Sequence, residues 1–360
     1  MADGQVTEVA VREALATFQD PETGRPVTGL DQIHELRLEG TKLSITLGLT
    51  TWAAPFWETT RCELTELLQK RFPALEVAVT VAEHHRPPEK LGEIGLAAKS
   101  VIAVGSGKGG VGKSSISVAL AHGLSRKGCR VGLMDADVYG PSIPHLLGSD
   151  ERPTMTGEKI SPVVVDGLKV MSMGFLVPVE EAVIWRGPML HGALTQFLRD
   201  TDWGDLDYLI IDMPPGTGDI ALSLSQLLPL TGAVVVCTPQ DVALLDAIKA
   251  ITMYRKVDIN VLGMVENMSF FLCPDCDNRH DIFGSGGAKS KAAEMGIPFL
   301  GEVPLNTRLR ILADQGKLGD LFVEDGAKPY LEAICENLVR NLIAQHRQQP
   351  AMPSLSILKQ

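Results

Sequence analysis

The sequence predicts an α/β protein: a small α+β domain followed by a larger domain built on a doubly wound, mostly parallel sheet. Three observations predict it. Short apolar runs recur between helical stretches at 101–105, 130–135, 168–172, 208–212, 233–238, 260–265 and 298–301, the pattern of buried strands joined by crossover helices. A glycine-rich loop joins the first of these runs to a helix. The polar, proline-bearing stretch Glu83-His84-His85-Arg86-Pro87-Pro88-Glu89-Lys90 sets off everything before it, as a linker does. The organisation read from the sequence is a domain over 1–82, a linker over 83–99, a phosphate-loop domain over 100–345 and a polar tail over 346–360, expected to be disordered.

Within the small domain, a helix is expected over 5–18 and another over 57–71. Strands are expected at 33–38, 42–50 and 75–82. In the second of these, Leu43, Ile45, Leu47 and Leu49 alternate with polar or small residues, so one face is apolar.

Composition narrows the function classes. The chain has 360 residues and a formal net charge of −11. Residues 1–95 hold 9 Lys and Arg against 15 Asp and Glu, and the remainder holds 24 against 29, so neither part is basic. That balance argues against nucleic acid or an anionic membrane as the main partner. The N-terminus MADGQVTEV has no apolar core of a signal peptide, and no apolar run reaches membrane-spanning length. Six cysteines in a chain this long do not read as a disulfide framework. A cytoplasmic protein is expected.

Residues Gly105 to Ser115 read GSGKGGVGKSS and contain Gly107-x4-Gly112-Lys113-Ser114, the phosphate-binding P-loop pattern. The preceding Ser100-Val101-Ile102-Ala103-Val104 suits a buried strand, and Ile116, Ala119, Leu120 and Leu124 follow at helical intervals. The glycines let backbone N–H groups converge on phosphate oxygens at a helix N-terminus. The residues expected at the nucleotide are Gly107, Lys108, Gly109, Gly110, Val111, Gly112, Lys113, Ser114 and Ser115. Lys113 is expected at the β- and γ-phosphates of ATP, and the Ser114 hydroxyl at Mg²⁺.

Two acidic motifs end strands. One runs Val131-Gly132-Leu133-Met134-Asp135-Ala136-Asp137, the other Tyr208-Leu209-Ile210-Ile211-Asp212 and on through Met213-Pro214-Pro215-Gly216-Thr217-Gly218-Asp219. A carboxylate at a strand terminus beside a P-loop holds Mg²⁺ directly or through water, the role expected of Asp212. Asp137 is expected to orient the attacking water, and the Pro-Pro-Gly-Thr-Gly run to sense the γ-phosphate. As isolated features, Asp137 and Asp219 would read as turn or N-cap residues.

Cys273-Pro274-Asp275-Cys276 has the spacing that brings two thiolates to one metal or cluster. It follows an expected strand and an aromatic loop, Phe270-Phe271. Two cysteines are half of a four-thiolate site. Cys62, Cys129, Cys237 and Cys335 are scattered, the last three at packing positions, so a second chain would supply the other half. Two other readings stand beside this one: a redox pair, and a zinc site with His280 as a third ligand.

KGGVGKSS, DADVYGPS, DMPPGTGD, TPQDVAL and ENMS, in this order over about residues 95–345, closely resemble the Mrp/ApbC family of iron–sulfur cluster carrier ATPases, of the MinD/ParA and nitrogenase-iron-protein group. The resemblance implies a P-loop NTPase fold and a homodimer around ATP and Mg²⁺, with Lys108 reaching the partner's nucleotide. It makes 135–137 switch I and 212–219 switch II, and places Asn267 at the adenine. Pro239-Gln240-Asp241 and Trp185-Arg186-Gly187-Pro188 are similar to family motifs without a role attached. The resemblance further implies a [4Fe–4S] cluster bridging two subunits through Cys273 and Cys276 of each. Its partners would be an upstream cluster scaffold and apo iron–sulfur clients.

Residues 5–82 resemble the MIP18-like domain often fused to these ATPases, with Asp20-Pro21-Glu22 and Leu47-Gly48-Leu49-Thr50-Thr51 at its motif positions. Its usual Cys-Pro is replaced by Ala54-Pro55, and Cys62 is not at that position, which points to docking or regulation rather than thiol chemistry. The competing functional classes are a MinD/ParA-like positioning ATPase, a zinc-binding P-loop ATPase and an electron donor like the nitrogenase iron protein. The tail Met352–Gln360 carries one lysine and a proline, unlike a basic membrane-targeting helix.

Overall fold

The structure is a computed structural model; it describes residues 6–138, 140–176, 187–216, 219–273, 276, 278–323 and 326–348. Tyr139, Trp185, Arg186, Thr217, Gly218, Pro274 and Asp275, singled out in the sequence motifs, lie outside the described residues, as does 349–360. The chain forms two compact units, one from residues up to 86 together with those from 339 onward, the other from 87–338.

The first unit contains α1 (Glu8–Leu15), β1 (Ile33–Glu39), β2 (Lys42–Leu49), α2 (Trp57–Arg71) and β3 (Glu76–Glu83). The strands form one sheet in the order β1-β2-β3, with β1 antiparallel and β3 parallel to β2. The alternation in β2 sets its face: Leu43, Ile45 and Leu47 are buried against Leu64 and Leu68 of α2 and Val11 and Leu15 of α1. α1 begins at Thr7, whose hydroxyl accepts from Ala10 N. The last part of the chain completes this unit. His346 stacks on the buried Trp52 ring at 5.1 Å, and Arg340 lies over Phe56. Residues 346–348 are therefore the last turn of a helix, where a disordered tail was expected.

The second unit begins with β4 (Lys90–Leu91), β5 (Leu96–Ser106), α3 (Lys113–Arg126), β6 (Val131–Asp135) and α4 (Ile143–Leu147). Short strands β7 (Thr154–Thr156), β8 (Lys159–Ser161) and β9 (Val163–Val165) precede β10 (Leu168–Ser172). Then follow α5 (Gly187–Arg199), β11 (Leu206–Asp212), α6 (Asp219–Leu227), β12 (Gly232–Cys237) and α7 (Asp241–Lys256). The unit ends with β13 (Val261–Leu272), β14 (Arg279–His280), α8 (Gly287–Met295), β15 (Phe299–Leu305), α9 (Thr307–Asp314) and the start of α10 (Lys328–Gln348).

Among the described residues, the main sheet runs β14-β13-β12-β5-β11-β6-β10-β9, with β15 on β13 and β4 on β5. Its centre is parallel, and the pairs β9/β10, β13/β14 and β4/β5 are antiparallel. Val101–Val104, Leu209–Ile211 and Val234–Val236 are fully buried, because helices cover both faces of these strands. From β5 the chain moves toward β6 on one side, whereas β12 flanks β5 on the other. The loop after β5 thus lies where the winding reverses, the place where such sheets bind ligands. No helix among the described residues is long and apolar enough to cross a membrane.

β13 differs from expectation. Phe270 and Phe271 belong to this strand instead of a loop. The strand's register on β15 breaks between Asn267 and Phe271, and Phe271 then pairs with both Leu305 and His280. Phe270 is buried under the Arg279 guanidinium, edge-on to Tyr330. Leu305 and Tyr330 lie far along the chain, so local periodicity did not reveal them.

Candidate nucleotide and thiol sites

The phosphate loop joins β5 to α3, whose first residue is Lys113. At Gly107 the loop passes so close to α7 that a Cβ would stand 2.1 Å from the Asp246 carbonyl carbon. Gly112 is left-handed, at φ 80°, and a Cβ there would stand 2.2 Å from the Asn267 amide nitrogen. Lys108 is half-buried, and its carbonyl accepts from Ser106 Oγ at 2.9 Å. Gly109 and Gly110 are exposed, Val111 is buried, and Ser114 and Ser115 are half-buried at the start of α3.

Below the loop lies a charged cluster from three elements. Lys113 Nζ is 2.7 Å from Asp212 Oδ2 and 3.9 Å from Asp137 Oδ2. Ser114 Oγ donates to Asp212 Oδ2 and Ser117 Oγ to Asp212 Oδ1, each at 2.6 Å. Asp212 is fully buried at the end of β11, where one cation and two hydroxyls meet its carboxylate oxygens. Its neighbour across the ladder is Asp135, also buried. Burial first and the Asp212 charge second push the Asp135 carboxyl up to about 8. Asp135 accepts from Ser172 Oγ and from Asp137 N, both at 3.0 Å, which fixes the turn that carries Asp137.

The structure brings Lys113, Ser114, Asp137 and Asp212 together. Their oxygens are hard donors of the kind Mg²⁺ takes, so the donor set fits that ion beside a phosphate chain. Asp135, named in the sequence as part of the first acidic motif, also belongs to this cluster, as do Ser117 and Ser172, which were not picked out. Ser117 had a signal, since it lies one helical turn after Lys113; its hydroxyl reaches the Lys113 carbonyl as well as Asp212. Asp219 opens α6, and its side chain is outside the described residues.

Asn267, expected at the adenine, is buried on β13, and its Nδ2 donates to the Val111 carbonyl at 2.8 Å. It supports the phosphate loop from behind. The next residue, Met268, is left-handed at φ 54°.

Cys273 follows β13 directly. Its N–H donates to the Asn278 carbonyl at 3.0 Å, and Leu272 pairs with Arg279, so both cysteines sit in a hairpin between β13 and β14. Cys273 is half-buried and Cys276 exposed. In contrast, burial pushes the thiols of Cys237 and Cys335 up to about 12, and that of Cys129 well above its ordinary range. Those three are packing residues, poorly suited to ligate as thiolates. Among the described residues, no group of three or more His, Cys, Asp or Glu side chains is placed to hold a metal. The hairpin shares the carboxyl edge of the sheet with the phosphate loop, since β5, β12 and β13 are parallel.

Comparison with known proteins agrees with this geometry. Residues 97–343 match the family described as NUBPL iron-transfer P-loop NTPase, and residues 8–81 match that described as iron-sulfur cluster assembly protein. The iron-sulfur cluster carrier protein of Deinococcus radiodurans is 43% identical over 351 residues, 95% of this chain and 99% of that protein. The iron-sulfur cluster transfer protein NUBPL of Dictyostelium discoideum is 51% identical over 238 residues, 65% of this chain and 73% of that protein. A solved structure, the nucleotide-binding protein of Archaeoglobus fulgidus in complex with ADP, superposes with a TM-score of 0.57 at 41% identity, covering 64% of this chain and 90% of that one. A phosphate loop over a Lys113–Asp212 pair, a two-cysteine hairpin on the same sheet edge and a match across most of the chain lead to one conclusion: the protein belongs to the NUBPL iron-transfer P-loop NTPase family.

Proposed function

We propose that the protein is an ATP-hydrolysing iron–sulfur cluster carrier of the cytoplasm. Two copies hold a [4Fe–4S] cluster between their Cys273/Cys276 hairpins and pass it to apo-proteins. The observation that carries this reading is the hairpin itself. It presents two accessible thiols, half the ligand set of such a cluster, in a chain whose other described cysteines are buried or, like Cys62, stand alone. A closed pair of chains supplies the other two.

At each phosphate loop, Lys113 neutralises phosphate charge and the loop's N–H groups orient the chain. Ser114 and Asp212 would hold Mg²⁺, which would supply charge neutralisation at the phosphates. Asp137, 3.9 Å from Lys113, orients the attacking water. Lys108 reaches across to the partner's nucleotide, so hydrolysis and pairing are linked. The Lys113–Asp212 bond favours the reading, because an incoming phosphate competes with Asp212 for Lys113 and reorganises the end of β11.

Anaerobic reconstitution tests the reading. About four iron and four sulfide per pair of chains are expected, with a cluster absorbance band. The Cys273→Ala/Cys276→Ala protein is expected to take up none. Reconstitution that yields one zinc and no sulfide per chain would refute it.

A further inference from the structure

Described residues between Asn267 and Arg279 connect the back of the phosphate loop to the base of the cysteine hairpin. Asn267 reaches Val111 only because Gly112 has no Cβ. Met268 then takes a left-handed conformation that is strained for a non-glycine residue, and such a conformation persists only where its surroundings enforce it. Here the strand loses its register on β15 until Phe271.

Ser269 lies inside this irregular stretch, fully buried. Its hydroxyl is 2.6 Å from Glu266 Oε1 and 3.2 Å from Glu302 Oε2. One hydroxyl has one proton, so it serves one carboxylate at a time. Glu266 is also satisfied by Ala288 N at 2.8 Å. Glu302 is held by Arg279 in a fork, Nη1–Oε1 at 2.5 Å and Nη2–Oε2 at 3.2 Å. Arg279 also donates from Nε to Asp281 at 2.9 Å and lies 3.9 Å above the Phe270 ring. It is the residue that pairs with Leu272, immediately before Cys273.

We propose that the Arg279–Glu302 pair is a positioning clamp. Through Ser269 and the irregular segment after Asn267, it sets the cysteine hairpin according to the state of the phosphate loop, so that nucleotide governs how Cys273 and Cys276 are presented. The inference rests on the proposed role of those thiols and adds its regulation. A regular strand would offer the hairpin one geometry. A strand with a register break, a left-handed residue and a hydroxyl shared between two carboxylates has two arrangements to choose from, and both the loop and the hairpin bias the choice. A planar, forked guanidinium suits the clamp, where an ammonium would hold one oxygen only.

The test uses the full-length protein and its Glu302→Gln, Arg279→Met and Arg279→Lys variants. The first readout needs no cluster: the alkylation rate of Cys276 by iodoacetamide, with ADP-Mg²⁺ and with ATP-Mg²⁺, by peptide mass spectrometry. The wild type is expected to show a several-fold difference between the two nucleotides. In Glu302→Gln and Arg279→Met the ratio is expected to fall to near one while ATP affinity stays within about threefold, and Arg279→Lys is expected to recover part of it. A merely structural role would alter both rates alike and leave their ratio. The second readout is transfer of reconstituted cluster to an apo-ferredoxin, whose nucleotide dependence should vanish in the same variants. No nucleotide effect in the wild type, or an equal effect in all four proteins, overturns the clamp. Failure of the wild type to load a cluster, with the alkylation pattern as expected, refutes the carrier reading and leaves the clamp standing.

Discussion

Lys113 and Asp212 face each other beneath the phosphate loop, Nζ to Oδ2 at 2.7 Å, with neither side chain open to solvent. The pair serves the fold and the ligand site at once. Removing the lysine alone leaves a buried carboxylate with only hydroxyl donors. The Lys113→Ala protein is expected to lose about 3 kcal/mol of stability in urea unfolding and to lose ATP binding. Adding Asp212→Asn should restore much of the stability but none of the binding. Equal stability of the single and double variants would show that the charge is not the cause.

Gly112→Ala is expected to disturb two chains of contact. Its φ of 80° disfavours alanine, and the new Cβ would meet the Asn267 amide. A stability loss of about 1–3 kcal/mol and at least a tenfold drop in ATP affinity by calorimetry should follow.

How far the sequence could be read depended on distance along the chain. The β5–loop–α3 unit was legible because strand, glycines, Lys113 and helix lie within thirty residues, and each signal is local. The helix at 57–71 and the alternating strand at 42–50 were equally plain, since their periodicity sets the burial directly. The partner of Asn267 is 156 residues away, and Glu302 is 23 residues from Arg279 on another strand. Nothing in the local pattern announces such meetings. The strands β7 to β9 are three residues each and mostly exposed or half-buried, too short for any periodicity.

The cysteine hairpin should be separable from stability. Cys273 is half-buried and Cys276 exposed, and neither belongs to a hydrophobic core. Replacing both by Ala is expected to change unfolding free energy by less than about 0.5 kcal/mol and to leave ATP affinity intact. Iron uptake and cluster transfer are expected to be lost.

His122 supplies a pH signature away from the nucleotide. It is buried in α3, and among the described residues its Nε2 has no hydrogen-bond partner. Burial holds the imidazole below its ordinary range, with Arg126 adding to the effect and Asp166 and Asp320 opposing it. The unfolded chain therefore takes up the proton first, and this stabilising contribution is present above about pH 6.5 and lost as pH falls. Relative to His122→Gln, the wild type should lose stability between about pH 7 and pH 5, by at most about 1.4 kcal/mol per pH unit. Urea titrations at three pH values would show it, and parallel slopes would count against it.

The stack of His346 on Trp52 has a consequence for biosynthesis. Trp52 is made before the second unit, yet this ring contact waits for a residue 294 positions later. Small, early-emerging domains ordinarily fold as soon as they are clear of the exit tunnel. This one can collapse around Leu43, Leu47 and Leu64 at that stage, but the Trp52 ring gains its His346 partner only after the whole second unit has been made. A product that stops short of His346 is therefore marked by an indole lacking its ring partner.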